Sequence, residues 1–97
     1  MKYITILMLF TLTLFAEVKG STLYNSCQYC HGIKADKVYA DQVPAINNMD
    51  AKTLQAVLEL YKKGEIDTYG FGPIMKTQMK NIPTDKISIL AEYIANL

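Results

Sequence analysis

The pattern of apolar and polar positions predicts two amphipathic helices in the second half of the chain. Apolar side chains recur three or four positions apart from Ala51 to Lys63 and again from Thr84 to Asn96. The two stripes consist of Leu54, Val57, Leu58 and Tyr61, and of Ile87, Leu90, Ala91 and Ile94. Residues at these spacings share one face of a helix, so each stripe predicts a helix that packs against a core. No alternating strand pattern competes, and the predicted fold class is all-α.

Boundary signals support both helices. Asp50 is the predicted N-cap of the first helix, and Gly64 is its predicted stop. Pro83 stands at the start of the last helix, where its fixed backbone angle is favourable. The other predicted segments are a short helix from Gly20 to Ser26, a loop from Ile33 to Val43 and a glycine-rich loop from Gly64 to Pro73.

The first residues have the features of an export signal. Lys2 gives a basic start, residues 3–15 are apolar apart from two threonines, and Ala16 suits a cleavage site. The apolar stretch is shorter than the roughly 20 residues that a membrane-spanning helix needs. We therefore predict a signal peptide over residues 1–16, with cleavage as late as residue 20 or retention as an anchor as alternatives. Residues 17–97 are predicted to form one domain.

Charge and size limit the classes of function. The chain has ten basic and nine acidic residues, and removal of Lys2 with the leader leaves nine of each. A nucleic-acid partner is therefore not expected, because binding to phosphates requires a basic surplus that displaces counterions. The 81 residues that remain after cleavage at Ala16 form a small domain. An apolar core of that size gives little stability without an additional staple.

Candidate chemistry is concentrated in the pentapeptide Cys27-Gln28-Tyr29-Cys30-His31. Two thiols at this spacing can each add to one vinyl group of a haem, and the following histidine then ligates the iron. A thioredoxin-like redox pair would need alternating strands and helices, which the pattern lacks. A structural zinc ion would need about four ligands, and the chain offers three. The motif thus predicts one covalently bound haem c, which would also be the staple.

A second axial ligand is expected among the methionines. A thioether opposite a histidine makes the iron six-coordinate and raises its potential, which suits electron transfer. The candidates are Met49, Met75 and Met79; Met75 is preferred because it directly follows the glycine-rich loop, whereas Met79 is expected to pack. Pro44 could supply the backbone carbonyl that accepts the ring N–H of His31, with a simple turn proline as the alternative.

Together these features resemble the class I c-type cytochromes, and more narrowly the small, soluble, single-haem cytochromes c of the bacterial periplasm. The resemblance covers nearly all of the chain from Gly20 to Leu97 and includes the methionine segment Tyr69-Gly-Phe-Gly-Pro-Ile-Met75. It implies about four short helices wrapped around one covalently attached haem, with Tyr69 among the cofactor-binding residues. It also implies that the first and last helices cross where Gly20 and Tyr24 meet Tyr93.

The resemblance further implies a monomeric periplasmic electron carrier that is not an enzyme. Its redox protein partners would be a respiratory donor and either a terminal oxidase or a haem peroxidase. The alternative is a haem-based sensor or enzyme that binds a gas or peroxide at an open iron position, and Met75 as a ligand would exclude it. Docking is expected at an exposed haem edge and is expected to be steered weakly by surface lysines, for which ordinary solvation is the alternative role. These lysines are Lys34, Lys62, Lys63, Lys76 and Lys80.

Overall fold

The computed structural model describes residues 18–97, and the predicted signal peptide lies outside the described residues. Within this part the chain forms α1 (Gly20–Tyr24), α2 (Gln28–His31), α3 (Ala51–Lys63), α4 (Gly72–Met79) and α5 (Ile87–Ala95), with a 3-10 turn over Thr84–Lys86. Residues 18–97 contain no strand, and their only β pairing is an isolated bridge between Tyr39 and Val43. The all-α prediction is therefore confirmed. None of the helices in the described range is long and apolar enough to cross a membrane.

Helix α3 has the predicted bounds. Gly64 ends it in the left-handed conformation, with φ of +75°, and its N–H donates to the carbonyls of Leu60 and Tyr61. Asp50 stands at the N-cap with an extended backbone, but its carboxylate makes no capping hydrogen bond. Leu54 and Leu58 of the predicted stripe are buried, so the apolar face of α3 packs against the core as predicted.

The segment before the Cys–His motif differs from the prediction. The expected single helix from Gly20 to Ser26 ends at Tyr24, and the chain makes a turn before α2 begins at Gln28. Asn25 and Ser26 occupy this turn, and such residues favour turns because their side chains compete for backbone hydrogen bonds. Cys27 thus lies at the start of a second short helix rather than in the last turn of the first.

The first and last helices cross at a very close approach, as the resemblance implies. A Cβ atom placed on Gly20 would lie 2.4 Å from the Cβ of Tyr93. Next to this crossing, the rings of Tyr24 and Tyr93 pack with their centroids 5.7 Å apart. The absence of a side chain at Gly20 is therefore what allows α1 and α5 to pack this closely.

The core lies between α1, α3, α4 and α5. Its most deeply buried apolar side chains include Ile87, Leu90 and Ile94 from α5 and Met79 from α4. Helix α5 is preceded by the 3-10 turn, where the sequence predicts one helix from Thr84. A tighter first turn is common at helix N-termini.

Candidate functional site

His31 is the last residue of α2, and the backbone around it is fixed by several contacts. Gly32 ends α2 with φ of +89°, a conformation that glycine adopts without strain. The phenol of Tyr24 donates a 2.6 Å hydrogen bond to the Gly32 carbonyl. The N–H of Lys37 donates to the carbonyl of His31 at 3.0 Å. These contacts connect the histidine to α1 on one side and to the following loop on the other.

Two cavities meet at His31. One, of about 310 Å³, is lined by Cys27, Cys30 and His31, and we call it the thiol cavity. The other, of about 180 Å³, is lined by His31, Pro44 and Met49, and we call it the proline cavity. His31, Tyr69 and Met75 line both cavities. Every site residue predicted from the sequence therefore lines at least one of the two.

The imidazole of His31 is suited to bind a metal. Its ring is buried, and burial lowers the pKa of His31 below its ordinary value. The neutral form is therefore favoured, and that is the form in which imidazole ligates a metal. The Nδ1 atom is buried without a hydrogen-bond partner among the described residues. The predicted hydrogen bond to the Pro44 carbonyl stays a prediction, although Pro44 lines the proline cavity beside His31.

The three candidate methionines occupy different positions. Met75 lies in α4, is half-buried and lines both cavities. Met79 lines the thiol cavity, but it is 2% exposed and packs within the core. Met49 lines only the proline cavity. Met75 is thus the one candidate that shares both cavities with His31, and its role as a ligand stays a prediction.

Both thiols border the thiol cavity, as the motif requires. Cys27 and Cys30 are half-buried and are not joined to each other. Burial raises the pKa of the Cys27 thiol above its ordinary value, so this side chain is held in its protonated form. Both cysteines are free and border the same cavity, so both are available for attachment chemistry.

Sequence reasoning missed part of the cavity wall. Tyr39 and Phe71 form an edge-to-face pair with ring centroids 5.1 Å apart, and both line the thiol cavity. Gln78 adds a polar side chain to the thiol cavity. Tyr61 lines both cavities, and it was already part of the apolar stripe predicted to face the core or the haem. Tyr39 and Phe71 lie in loops without a hydrophobic period, so only their aromatic character was available as a signal.

The site has the composition that a flat, mainly apolar cofactor requires. The thiol cavity, at about 310 Å³, lies within the range of ligand pockets, which measure roughly 300–1,000 Å³. The walls of both cavities are mostly aliphatic and aromatic. Two thiols stand at one wall, and a neutral imidazole and a thioether each border both cavities. This set of donors fits a haem attached through thioethers, since sulfur and imidazole are established haem ligands.

Comparison with known proteins agrees with this description. The family model described as "Cytochrome c" matches residues 17–97, a range that contains the five helices described for residues 18–97 and the two cavities at His31. The chain is similar to a cytochrome c-553 of Helicobacter pylori strain J99, with 31% identity over 87 residues that cover 86% of each chain. It is also similar to a cytochrome c-553 of Helicobacter pylori strain 26695, with 32% identity over 75 residues, or 77% of this chain and 74% of the relative.

Proposed function

Because this chain belongs to the cytochrome c family, we propose that it is a periplasmic one-electron carrier that moves electrons from a respiratory donor to a terminal oxidase or a haem peroxidase. Family membership and the Cys27-x-x-Cys30-His31 motif give it one covalently bound haem c. When bound, the haem supplies an iron that alternates between the ferric and ferrous states. The protein acts as a carrier rather than an enzyme, and as a monomer.

We assign the attachment and ligand roles to four residues. Cys27 and Cys30 would form the two thioethers, and His31 and Met75 would ligate the iron. The observation that carries this assignment is that His31 and Met75 each line both cavities. A histidine–methionine pair leaves no open position for a gas or peroxide and raises the potential, which suits electron transfer.

The surrounding residues keep the site apolar and hold its ligands. Leu58, Leu90 and Ile94 line the thiol cavity from the buried core, and they limit the access of water to that side. His31 is held neutral by its burial, so ligand binding does not have to displace a proton at neutral pH. A dry environment and fixed ligands reduce the rearrangement that accompanies each electron transfer.

Docking is proposed at the exposed rim of the thiol cavity. Tyr29, Tyr69 and Ile74 line this cavity and are also exposed, so they can contact a partner protein. Four of the five predicted docking lysines are exposed, namely Lys34, Lys63, Lys76 and Lys80. Lys62 is the exception, because it is half-buried and donates hydrogen bonds to backbone carbonyls. It is therefore not among the free docking lysines.

Export is part of the proposal. We assign residues 1–16 to a cleaved signal peptide and residues 17–97 to the carrier domain. The N-terminal sequence of the protein purified from cells is the measurement that checks this assignment. Cleavage after Ala16 or as late as residue 20 supports export of a diffusible carrier, whereas an intact Met1 in the purified protein would indicate a retained anchor.

The ligand assignment is tested on the exported, haem-loaded protein. The oxidised wild type should have the sulfur-to-iron charge-transfer band, and Met75→Ala should lose the band and have a lower potential. Met79→Ala is the matched control and should keep the band, although it will be less stable because a core side chain is removed. A wild type without the band that readily binds peroxide or a gas would instead favour a haem sensor or enzyme.

A further inference from the structure

Helix α4, which carries Met75, is held at each end by one charged side chain. At its N-terminus the N–H of Gly72 donates a 2.7 Å hydrogen bond to Oδ1 of Asp67. At its C-terminus Nζ of Lys62 donates to the carbonyl of Met79 at 2.9 Å and also to the carbonyl of Ile82. Lys62 lies near the end of α3, and Asp67 lies in the glycine-rich segment that follows it. We call Lys62 and Asp67 the α4 clamp.

The sign of each charge matches the helix end that it contacts. A helix has a partial positive charge and free N–H groups at its N-terminus, and a partial negative charge and free carbonyls at its C-terminus. Phe71, at the N-cap of α4, has no polar side chain, so the carboxylate of Asp67 replaces the missing cap. Hydrogen bonds with one charged partner are stronger than neutral ones. The short helix is thus held by two charge-assisted contacts.

The contact at the N-terminus depends on glycine. A Cβ atom on Gly72 would lie 2.8 Å from Oδ1 of Asp67 and 2.8 Å from the carbonyl oxygen of Ile66. Such distances are too short for any other residue, and Gly72 is itself buried. Pro73 follows directly and fixes the backbone of the first turn. The loop that ends at Phe71 is therefore locked against the start of α4.

We propose that Lys62 and Asp67 are positioning residues for Met75, which keep its thioether in the wall shared by the two cavities. The inference rests on the proposed role of Met75 as a ligand. In α4 the amide of Met75 donates to the carbonyl of Phe71, so Met75 lies one turn from the Asp67 contact. If either end of α4 is released, the helix can move away from the cavity wall, and the methionine leaves the iron more often.

The test measures how fast added imidazole binds to the oxidised, haem-loaded protein. Imidazole can replace the methionine only after the methionine has left the iron, so the observed rate follows the opening of this bond. Asp67→Ala and Lys62→Met should each bind imidazole about tenfold faster than the wild type, which corresponds to ~1.4 kcal/mol in the opening equilibrium. Asp67→Asn keeps an acceptor oxygen without the charge, and its rate should lie between wild type and Asp67→Ala.

Matched controls separate positioning from a loss of charge or of overall stability. Glu65→Ala and Lys52→Met remove exposed charges of the same sign from the same region or helix, and they should bind imidazole at the wild-type rate. Gly20→Ala lowers the overall stability at a distant helix crossing and should also leave the rate unchanged. A clamp variant that is only less stable, with a wild-type imidazole rate, would overturn the inference.

The outcomes distinguish this inference from the ligand assignment. Met75→Ala should bind imidazole fastest of all and lack the charge-transfer band, which supports the ligand role independently. If Met75→Ala behaves as expected but both clamp variants bind imidazole at the wild-type rate, the clamp alone is refuted. If the wild type lacks the band and Met75→Ala does not change the rate, the ligand assignment fails and the clamp falls with it. Should Asp67→Ala fail to fold, Asp67→Asn and Lys62→Met decide the question.

Discussion

Replacement of Gly20 by alanine is the sharpest test of how the helices are packed. Alanine is the better helix former by about 1 kcal/mol, so on helix propensity alone the substitution should stabilise the protein. In the structure the added Cβ would lie 2.4 Å from Cβ of Tyr93 and 2.9 Å from its Cγ. Non-bonded carbon atoms normally approach to about 3.5–4.0 Å. Helices α1 and α5 would therefore have to move apart by more than ~1 Å.

The cost of this movement exceeds the gain in helix propensity. The clashing atom of Tyr93 is fixed to the backbone of α5, so a change of side-chain rotamer cannot relieve the contact. Overpacking of this kind costs roughly 1–3 kcal/mol, and it would also disturb the adjoining contact between the rings of Tyr24 and Tyr93. We expect a net loss of about 1–2 kcal/mol in the free energy of unfolding. For a domain of this size that corresponds to a decrease of roughly 4–16 °C in Tm.

Urea and thermal unfolding of the haem-loaded protein measure the effect. Ser21→Ala, at an exposed position of the same helix, is the matched control and should change the stability little. Tyr93→Gly removes the Cβ that causes the clash, so Gly20→Ala should cost less in that background than in the wild type. A Gly20→Ala protein as stable as the wild type would refute the steric argument and would show that helix propensity decides at this position.

Three other predictions concern haem, pH and a loop. The Cys27→Ala, Cys30→Ala chain should be largely unfolded without haem by circular dichroism, whereas a cooperative thermal transition would contradict the coupling of folding to haem. Burial, with a smaller contribution from Cys27, raises the pKa of Tyr24 from 10.0 to about 12. The neutral phenol therefore stabilises the fold below pH 10, and this stabilisation is lost as the pH rises to 12. Tyr24→Phe should cost about 1 kcal/mol at neutral pH by loss of its hydrogen bond and should lose less stability between pH 10 and 12 in urea titrations. Ala40 has φ of +51° at an exposed turn, so Ala40→Gly should stabilise the protein by a few tenths of a kcal/mol. The control is Ala56→Gly in the regular helix α3, which should destabilise the protein by about 1 kcal/mol. Equal effects of the two substitutions in unfolding experiments would show that the turn is not strained.

The parts of the fold that the sequence predicts correctly are those with two agreeing signals. Helix α3 has both an apolar stripe and a glycine stop, and its observed bounds match the prediction. The start of α4 is different, because Gly72 and Pro73 were assigned to the end of a loop. Glycine and proline are interpreted as loop signals, but here the proline occupies the first turn of a helix. The cap of this helix comes from Asp67, five residues before Gly72. Such a cap depends on tertiary folding of the loop and leaves no local pattern.

A similar limit applies to the site. The Cys–His motif is local and specific, so the position of His31 in a cavity wall could be predicted from five residues. The role of Lys62 could not, because its spacing on α3 is that of an exposed lysine. Its contacts with the carbonyls of Met79 and Ile82 arise only when α3 and α4 pack together. Sequence patterns therefore predicted the groups that would bind haem better than the groups that hold those residues in place.

The position of the thiol cavity explains why folding and haem attachment should be coupled. Its wall includes Leu58, Met79, Leu90 and Ile94, which are also buried side chains of the core. The cavity thus reaches from its exposed rim into the core. At roughly 24 cal/mol per Å³, a cavity of about 310 Å³ would cost at most about 7 kcal/mol if nothing filled it. Since the whole stability of a domain is about 5–15 kcal/mol, a chain that cannot attach haem would lose a large share of it, and the same four side chains that stabilise α3, α4 and α5 would then face water.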